Sequence, residues 1–558
     1  MGDSFRSHSI VLLIAGLVFF LLYILLYPRP ESVDDMGGHL IYLQDNIGMF
    51  FMKYYAETGW LKYPVPYYNM LPLNISVAFT PTDGTQFGGY IVPKYSLGIF
   101  LGSGALASLN ANILLILIPL ATVLSVICLY ILIRNIFGDR IALMSALLAF
   151  IIPPVVIHGS RYCTIGVIPS ILFMLLGFIY FKRMLKEKSC RDCFLSVLFL
   201  ATAAINRYPD AIFIAPLLLY ILIADRTPLK NGRLLITGAF TFLFVFSPIL
   251  LLNKELYGSP FTSGYQSTAN VIWSTTPTPG LAPSNILQYV VSFLGFDIEF
   301  FLSYINMYLV NVVPLLFFGS IIGFLYIWRT HSDNMARAYC LYMAYLFVAI
   351  LLFYGGRITG GFNEFTIMAS FIRYSLLFYI LMLPLFAVIL RRFAYTSKKA
   401  AVLFLSIFII LCTVNSVTLQ NGIYDRYNSL GTNEGFYNSV IRNTEPNSAI
   451  IVLNEDRLLF PSRAVLLAPY LGVNYTSLDL KKQSFFKLPL NLTAIAQKAG
   501  YMANMGIPVY IVERIVDKDF KSALYNNGYK LKVIDLGLGY NKLYKLVVAE
   551  GEIHLPKA

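Results

Sequence analysis

The sequence predicts a polytopic α-helical membrane protein with a small α/β domain after its last span. Three observations predict it. Hydrophobic residues make up 57% of the 558 and charged residues 13%, with a mean hydropathy of +0.67, a membrane composition. Apolar runs of helical length recur from residue 10 to about 419. After residue 420 the composition turns soluble. The chain therefore divides into a transmembrane region, 1–420, with 28–110 as its first external loop, and a C-terminal domain, 421–558.

In chain order, Arg6 precedes the apolar run Ile10–Tyr27, and no small-x-small cleavage site follows. This reads as an uncleaved signal anchor with a cytoplasmic N-terminus. In the loop, Leu40, Leu43, Ile47, Phe50, Phe51 and Tyr54 fall at helical spacing between Met36 and Thr58, an amphipathic helix suited to the membrane interface. Tyr63–Tyr68 reads as irregular chain and Tyr90–Leu109 as a second short helix. Ten further spans are expected at about 112–133, 141–158, 165–181, 194–206, 209–224, 234–252, 306–327, 338–354, 372–390 and 400–419, eleven in all. The two around Asn206–Asp210 are short and suit a hairpin that does not fully cross.

Of the 26 Lys and Arg before residue 420, 17 fall in segments this topology places inside, although the outer segments are longer. The asymmetry obeys the positive-inside rule and explains much of the +13 net charge without a nucleic-acid partner. The C-terminal domain then lies outside the cell membrane. There, Ala449–Leu453, Pro508–Val512, Leu531–Ile534 and Leu543–Val548 read as strands, the last two as a hairpin. Leu492–Ala503 and Phe520–Tyr525 read as helices, and the sequons at Asn74, Asn474 and Asn491 all fall in external segments. Cys190-x-x-Cys193 lacks a second pair or histidines and is a weak metal signal.

The chemistry gathers outside. Glu31, Asp34, Asp35 and His39 stand just past the first span, where acids must face water or a lined cavity. An N-cap at Ser32 or Asp34 would explain part of this equally well. Lys94, Arg161, Arg207, Arg357 and Arg373-Tyr374 fall on the same side. A carboxylate in a cleft can take a proton from an attacking hydroxyl, and cations at a membrane surface can hold a phosphate. Each has a plainer reading. Arg373 can snorkel to headgroups, Lys94 can anchor an interface, and Arg207 can pair with Asp210.

Five segments carry a resemblance: Asp34-Asp35, Pro93-Lys94-Tyr95-Ser96-Leu97-Gly98, Asn206-Arg207-Tyr208-Pro209, Tyr257 to Tyr265, and Arg373-Tyr374. Over residues 1–420 the chain resembles integral-membrane glycosyltransferases of the GT-C superfamily. It is most similar to the polyprenyl-phosphate-sugar-dependent branch of protein O-mannosyltransferases and aminoarabinose transferases. The resemblance implies a GT-C fold and inverting transfer of a sugar from a polyprenyl- or dolichyl-phosphate donor to an acceptor hydroxyl at the outer face. The acceptor, whether glycan, lipid or protein, is left open.

The resemblance also assigns roles. Asp34 or Asp35 would be the base, and Lys94, Arg373, Tyr374 and Arg207 would meet the donor phosphate. Glu31, His39, Arg161 and Tyr265 would stand near the substrate. Ser160-Arg161-Tyr162-Cys163-Thr164 lacks the second acid that many relatives carry in that loop, so no cofactor is assigned and a divalent metal is left open. A transporter or flippase of lipid-linked sugars and a membrane-anchored assembly protein are the alternatives. Neither an internal repeat nor a cluster of midplane charges points to a transporter.

Overall fold

A computed structural model describes residues 2–26, 43–64, 84–87, 90–93, 96–161, 166–223, 227–262, 302–330, 333–354, 372–419, 422–424, 439–440, 442–445, 448–452, 464–467, 492–513, 518–534, 536 and 542–549. The eleven apolar runs are all helical. They are α1 (Gly2–Leu25), α4 (Ile113–Phe137), α5 and α6 (Asp139–Ala149, Pro153–Gly159), α7 (Val167–Glu187) and α8 (Cys190–Asn206). There follow α9 (Ala211–Ile223), α11 (Gly232–Tyr257), a π-helical turn (Ile305–Val310) with α12 (Pro314–Thr330), α13 (Asn334–Tyr354), α14 (Leu376–Thr396) and α15 (Lys398–Thr418). The four-residue α10 (Thr227–Lys230) precedes α11. Among the described residues, seven helices are long and apolar enough to cross a membrane, or nine if each of two bent pairs is one span. The bends have proline causes. Pro153-Pro154 starts α6 at 58° to α5, and Pro314 opens α12 at 104° to the preceding turn. The short pair α8 and α9 is joined through Arg207 and the turn Tyr208–Asp210, a hairpin by connection rather than by packing of the two helices on each other.

Close backbone approach holds the bundle, as expected where lipid supplies no hydrophobic drive between helices. A Cβ on Gly323 would sit 2.1 Å from the Leu385 carbonyl, and one on Gly319 would sit 2.5 Å from the Phe386 ring. Thus α12 lies directly on α14. Pro384 perturbs the hydrogen-bond ladder of α14, and hydroxyls from neighbouring helices serve the carbonyls beside it. Tyr339 donates to Leu381 and Ser320 to Met382, the latter at 3.0 Å.

The first loop corrects two expectations. α2 (Leu43–Thr58) forms at the end of the predicted amphipathic segment. Tyr90–Pro93, expected to begin a helix, is instead strand β3, and Tyr63–Pro64, expected irregular, is strand β1. Both join β2 (Gly84–Phe87) in an antiparallel sheet, order β1-β3-β2. Tyr-Ile-Val is a β-favouring triplet, and Pro93 disfavours helix in the residue before it. The helix begins only at α3 (Leu97–Ala107).

The C-terminal domain is α/β. Its strands are β4 (Ala449–Val452), β5 (Ala464–Leu467), β6 (Val509–Glu513), β7 (Tyr529–Ile534) and β8 (Lys542–Val548), and its helices are α16 (Leu492–Asn504) and α17 (Lys518–Asn526). The sheet order is β5-β4-β6-β8-β7, with β4 parallel to β5 and β6 and the β7–β8 hairpin antiparallel. Strand β5 escaped the sequence reading because four apolar residues carry no period. Ile495, Ala499, Met502, Phe520 and Leu524 pack on Ile451, Val509 and Ile511. Burial pushes up the pKa of Tyr529, whose hydroxyl donates to the Gly500 carbonyl at 2.9 Å. The three sequons lie outside the described residues.

Candidate active site

Asp34, Asp35, Glu31, His39, Lys94 and Tyr265 lie outside the described residues, as does Arg357. Arg161, Arg207, Arg373 and Tyr374 are described, and three of these four meet.

Arg207 stands where α8 stops. Its backbone is extended, with φ −155° and ψ 97°, and Pro209 two residues on lacks the N–H that would continue the ladder of α8. A 3₁₀ turn, Tyr208–Asp210, then starts α9. The turn places Asp210 one helical step from Arg207, and the two side chains form an ion pair through Nη1 and Oδ1. Arg207 is 6% exposed and Asp210 1%, so the pair is desolvated. Ser170 of α7 donates to the other carboxylate oxygen, Oδ2, at 2.7 Å. Both oxygens of the buried acid are thus satisfied, as burial demands.

The hairpin is seated from every side. Tyr345 and Tyr342 of α13 donate to the carbonyls of Ile212 and Phe213, both at 2.9 Å. Pro216 lacks the N–H that would serve Ile212 within α9, and Tyr345 replaces it. Gly166, at φ +69°, leads into α7. A Cβ there would stand 2.3 Å from the Asn206 carbonyl. Only glycine suits both that angle and that approach. Gly98 of α3 lies equally tight, its Cβ position 2.7 Å from Ile205 and 2.8 Å from the Asn206 side chain.

These contacts join the sequence motifs. Ser96 accepts from the Tyr208 N–H at 3.0 Å, and Tyr257 donates to the Pro93 carbonyl at 2.5 Å. The described residues on either side of Lys94 are therefore tied to the segments of Arg207 and Tyr257. Arg373 and Tyr374 form a 3₁₀ turn leading into α14. The Arg207 and Arg373 guanidiniums lie 5.2 and 5.1 Å from the centroid of the Tyr374 ring, within cation–π range. Arg373 Nη2 also reaches the Tyr374 hydroxyl at 3.2 Å. Arg161 is 2% exposed in the turn after α6.

Sequence reasoning weighed the Arg207–Asp210 pairing and missed Ser170, Tyr342 and Tyr345. Only Pro216, four residues after Ile212, hints that an outside donor is needed. Among the described residues, no group of three or more His, Cys, Asp or Glu gathers to hold a metal.

Residues 99–252, which include this hairpin, match the family model described as dolichyl-phosphate-mannose-protein mannosyltransferase. The crystal structure of ArnT from Cupriavidus metallidurans bound to undecaprenyl phosphate aligns over 96% of this chain and 97% of its own, with TM-score 0.55 and 12% identity. The chain has the GT-C fold. Two structures of the Archaeoglobus fulgidus oligosaccharyltransferase also align, each with TM-score 0.49. The apo form shares 14% identity over 91% of this chain and 69% of that one. The complex with an inhibitory peptide and a dolichol-phosphate shares 12% over 100% and 75%. The fold assignment rests on the first of the three. No curated protein matches the sequence. The chain is a multi-pass membrane protein.

Proposed function

We propose that the chain transfers a sugar from a polyprenyl or dolichyl monophosphate to an acceptor hydroxyl at the outer membrane face, with inversion at the anomeric carbon. The observation that carries this reading is the convergence of Arg207 and Arg373 on Tyr374, beside the segment that holds Lys94. Two guanidiniums on one ring would offer hydrogen-bond donors to the phosphate of a membrane-held lipid.

One of Asp34 and Asp35 takes the acceptor proton. The acceptor oxygen bonds to the anomeric carbon as the bond from that carbon to the phosphate oxygen breaks. The electron pair leaves with the phosphate, where Arg373 and Lys94 stabilise the developing charge. A divalent ion, where bound, would supply further positive charge to the same departure.

The test is transfer from a lipid-linked sugar by purified wild type, Asp34→Asn and Asp35→Asn. Removing a general base costs about 10²–10⁴ in turnover. At least one variant should lose that much while keeping the wild-type unfolding profile. Full turnover in both would overturn the base assignment. Donor binding without any transfer by wild type would favour the transporter reading instead.

A further inference from the structure

Asp210 has no part in the transfer step, yet it is the most carefully satisfied acid in the described site. One oxygen pairs with Arg207 and the other accepts from Ser170, at 1% exposure. Fold alone gives no reason for a charge here, since a buried ion pair seldom gains stability over an apolar one. Charge bookkeeping across the proposed reaction gives one. The donor is a phosphodiester with a single negative charge. The lipid product is a phosphomonoester, which carries about −1.5 to −2 at neutral pH. A site of unbalanced cations therefore holds its product more tightly than its donor.

We propose that Asp210 is a positioning residue that cancels the charge of Arg207, so that the lipid-phosphate product can leave. It holds the guanidinium against Tyr374 as a hydrogen-bonding and stacking surface, beside Arg373 on the same ring. Ser170 keeps the carboxylate turned toward Arg207. This rests on the glycosyl-transfer reading, because only that reaction raises the charge of the bound phosphate.

The experiment measures the affinity of full-length protein in nanodiscs for polyprenyl phosphate and for a polyprenyl-phosphate sugar, without acceptor. The readout is the product-to-donor affinity ratio, which a merely structural role would leave unchanged. Asp210→Asn should raise the ratio on the order of tenfold, the scale of one unit charge acting across about 10 Å at an effective dielectric near 20. Its kcat should fall and its donor KM should fall with it. Arg207→Gln should lower the ratio, and the double variant Arg207→Gln/Asp210→Asn, again neutral, should return it to the wild-type value. Asp210→Glu should keep it there.

If Asp210→Asn does not fold, Arg207→Gln and the double variant carry the same signs. A ratio that stays constant, or that moves the same way in Arg207→Gln and Asp210→Asn, overturns the proposal. Failure of wild type to transfer sugar would overturn the reaction itself, and that is a separate measurement.

Discussion

The two ends of α14 use the same residue types for different ends. At one end Arg207 and Arg373 flank Tyr374. At the other, Arg391 lies 5.6 Å from the Tyr395 ring and donates to its hydroxyl at 3.1 Å, and the charge of Arg140 acts on that hydroxyl as well. Each end is a tyrosine with two arginines. They differ in surroundings. Tyr395 is 65% exposed, Arg140 is exposed and Arg391 is half-buried. Arg207 is buried, tied to Asp210, and delivered by a hairpin held by α3, α7 and α13. Exposed charge contacts contribute about 0–1 kcal/mol and are screened, whereas desolvated ones act in a low dielectric. An arginine–tyrosine cluster is therefore only a candidate until burial and a counter-charge make it a fixed field.

The largest effect expected is on the seating of the hairpin. Gly166→Ala places a Cβ against the Asn206 carbonyl at a left-handed φ. Strain and overpacking together should cost roughly 3 kcal/mol. Gly59, at φ +73°, follows α2 and has no atom within 4 Å of its Cβ position, so Gly59→Ala should cost only about 1–2 kcal/mol of backbone strain. Thermal unfolding in detergent compares the two. Equal losses would mean that the seat at Asn206 yields easily.

The next effect separates the two arginines. Arg373→Ala should raise the donor KM about 10- to 100-fold, the loss of a charge-assisted contact of about 1.5–3 kcal/mol. Arg391→Ala should leave donor KM within about twofold, as exposed pairs do. Unchanged donor affinity in Arg373→Ala would restore the reading of that arginine as a headgroup anchor.

How much of this was legible in the sequence follows from the same contrast. The eleven apolar runs and the soluble tail were readable because hydropathy is a local property. Arg373-Tyr374 and Arg207 were readable as chemistry because a charge beside an apolar span is conspicuous. Their meeting was not, since 166 residues separate them and no local pattern encodes which helices pack together. Ser170 sits in an apolar span like any small residue. The β1–β3 pairing was missed because Tyr90–Pro93 runs on into a helical pattern, and strand partners lie outside any local window. The acids at 31–39 remain a sequence argument alone.

The smallest effect asks whether the Tyr374 hydroxyl matters beyond its ring. Tyr374→Phe keeps the face on which both guanidiniums lie and removes only the acceptor that Arg373 reaches at 3.2 Å. That distance is at the long end for an N–H···O bond, so about 0.5–1.5 kcal/mol is at stake. Donor KM should rise roughly two- to tenfold while kcat stays near wild type, because the hydroxyl orients Arg373 and takes no part in bond breaking. Tyr395→Phe removes an acceptor at 3.1 Å, a slightly better distance, yet should change neither constant. If the two variants behaved alike, the hydrogen bond alone would set the effect, and burial would lose its place as what distinguishes the ends of α14. If Tyr374→Phe lowered kcat and left KM unchanged, the hydroxyl would belong to the departing phosphate rather than to Arg373.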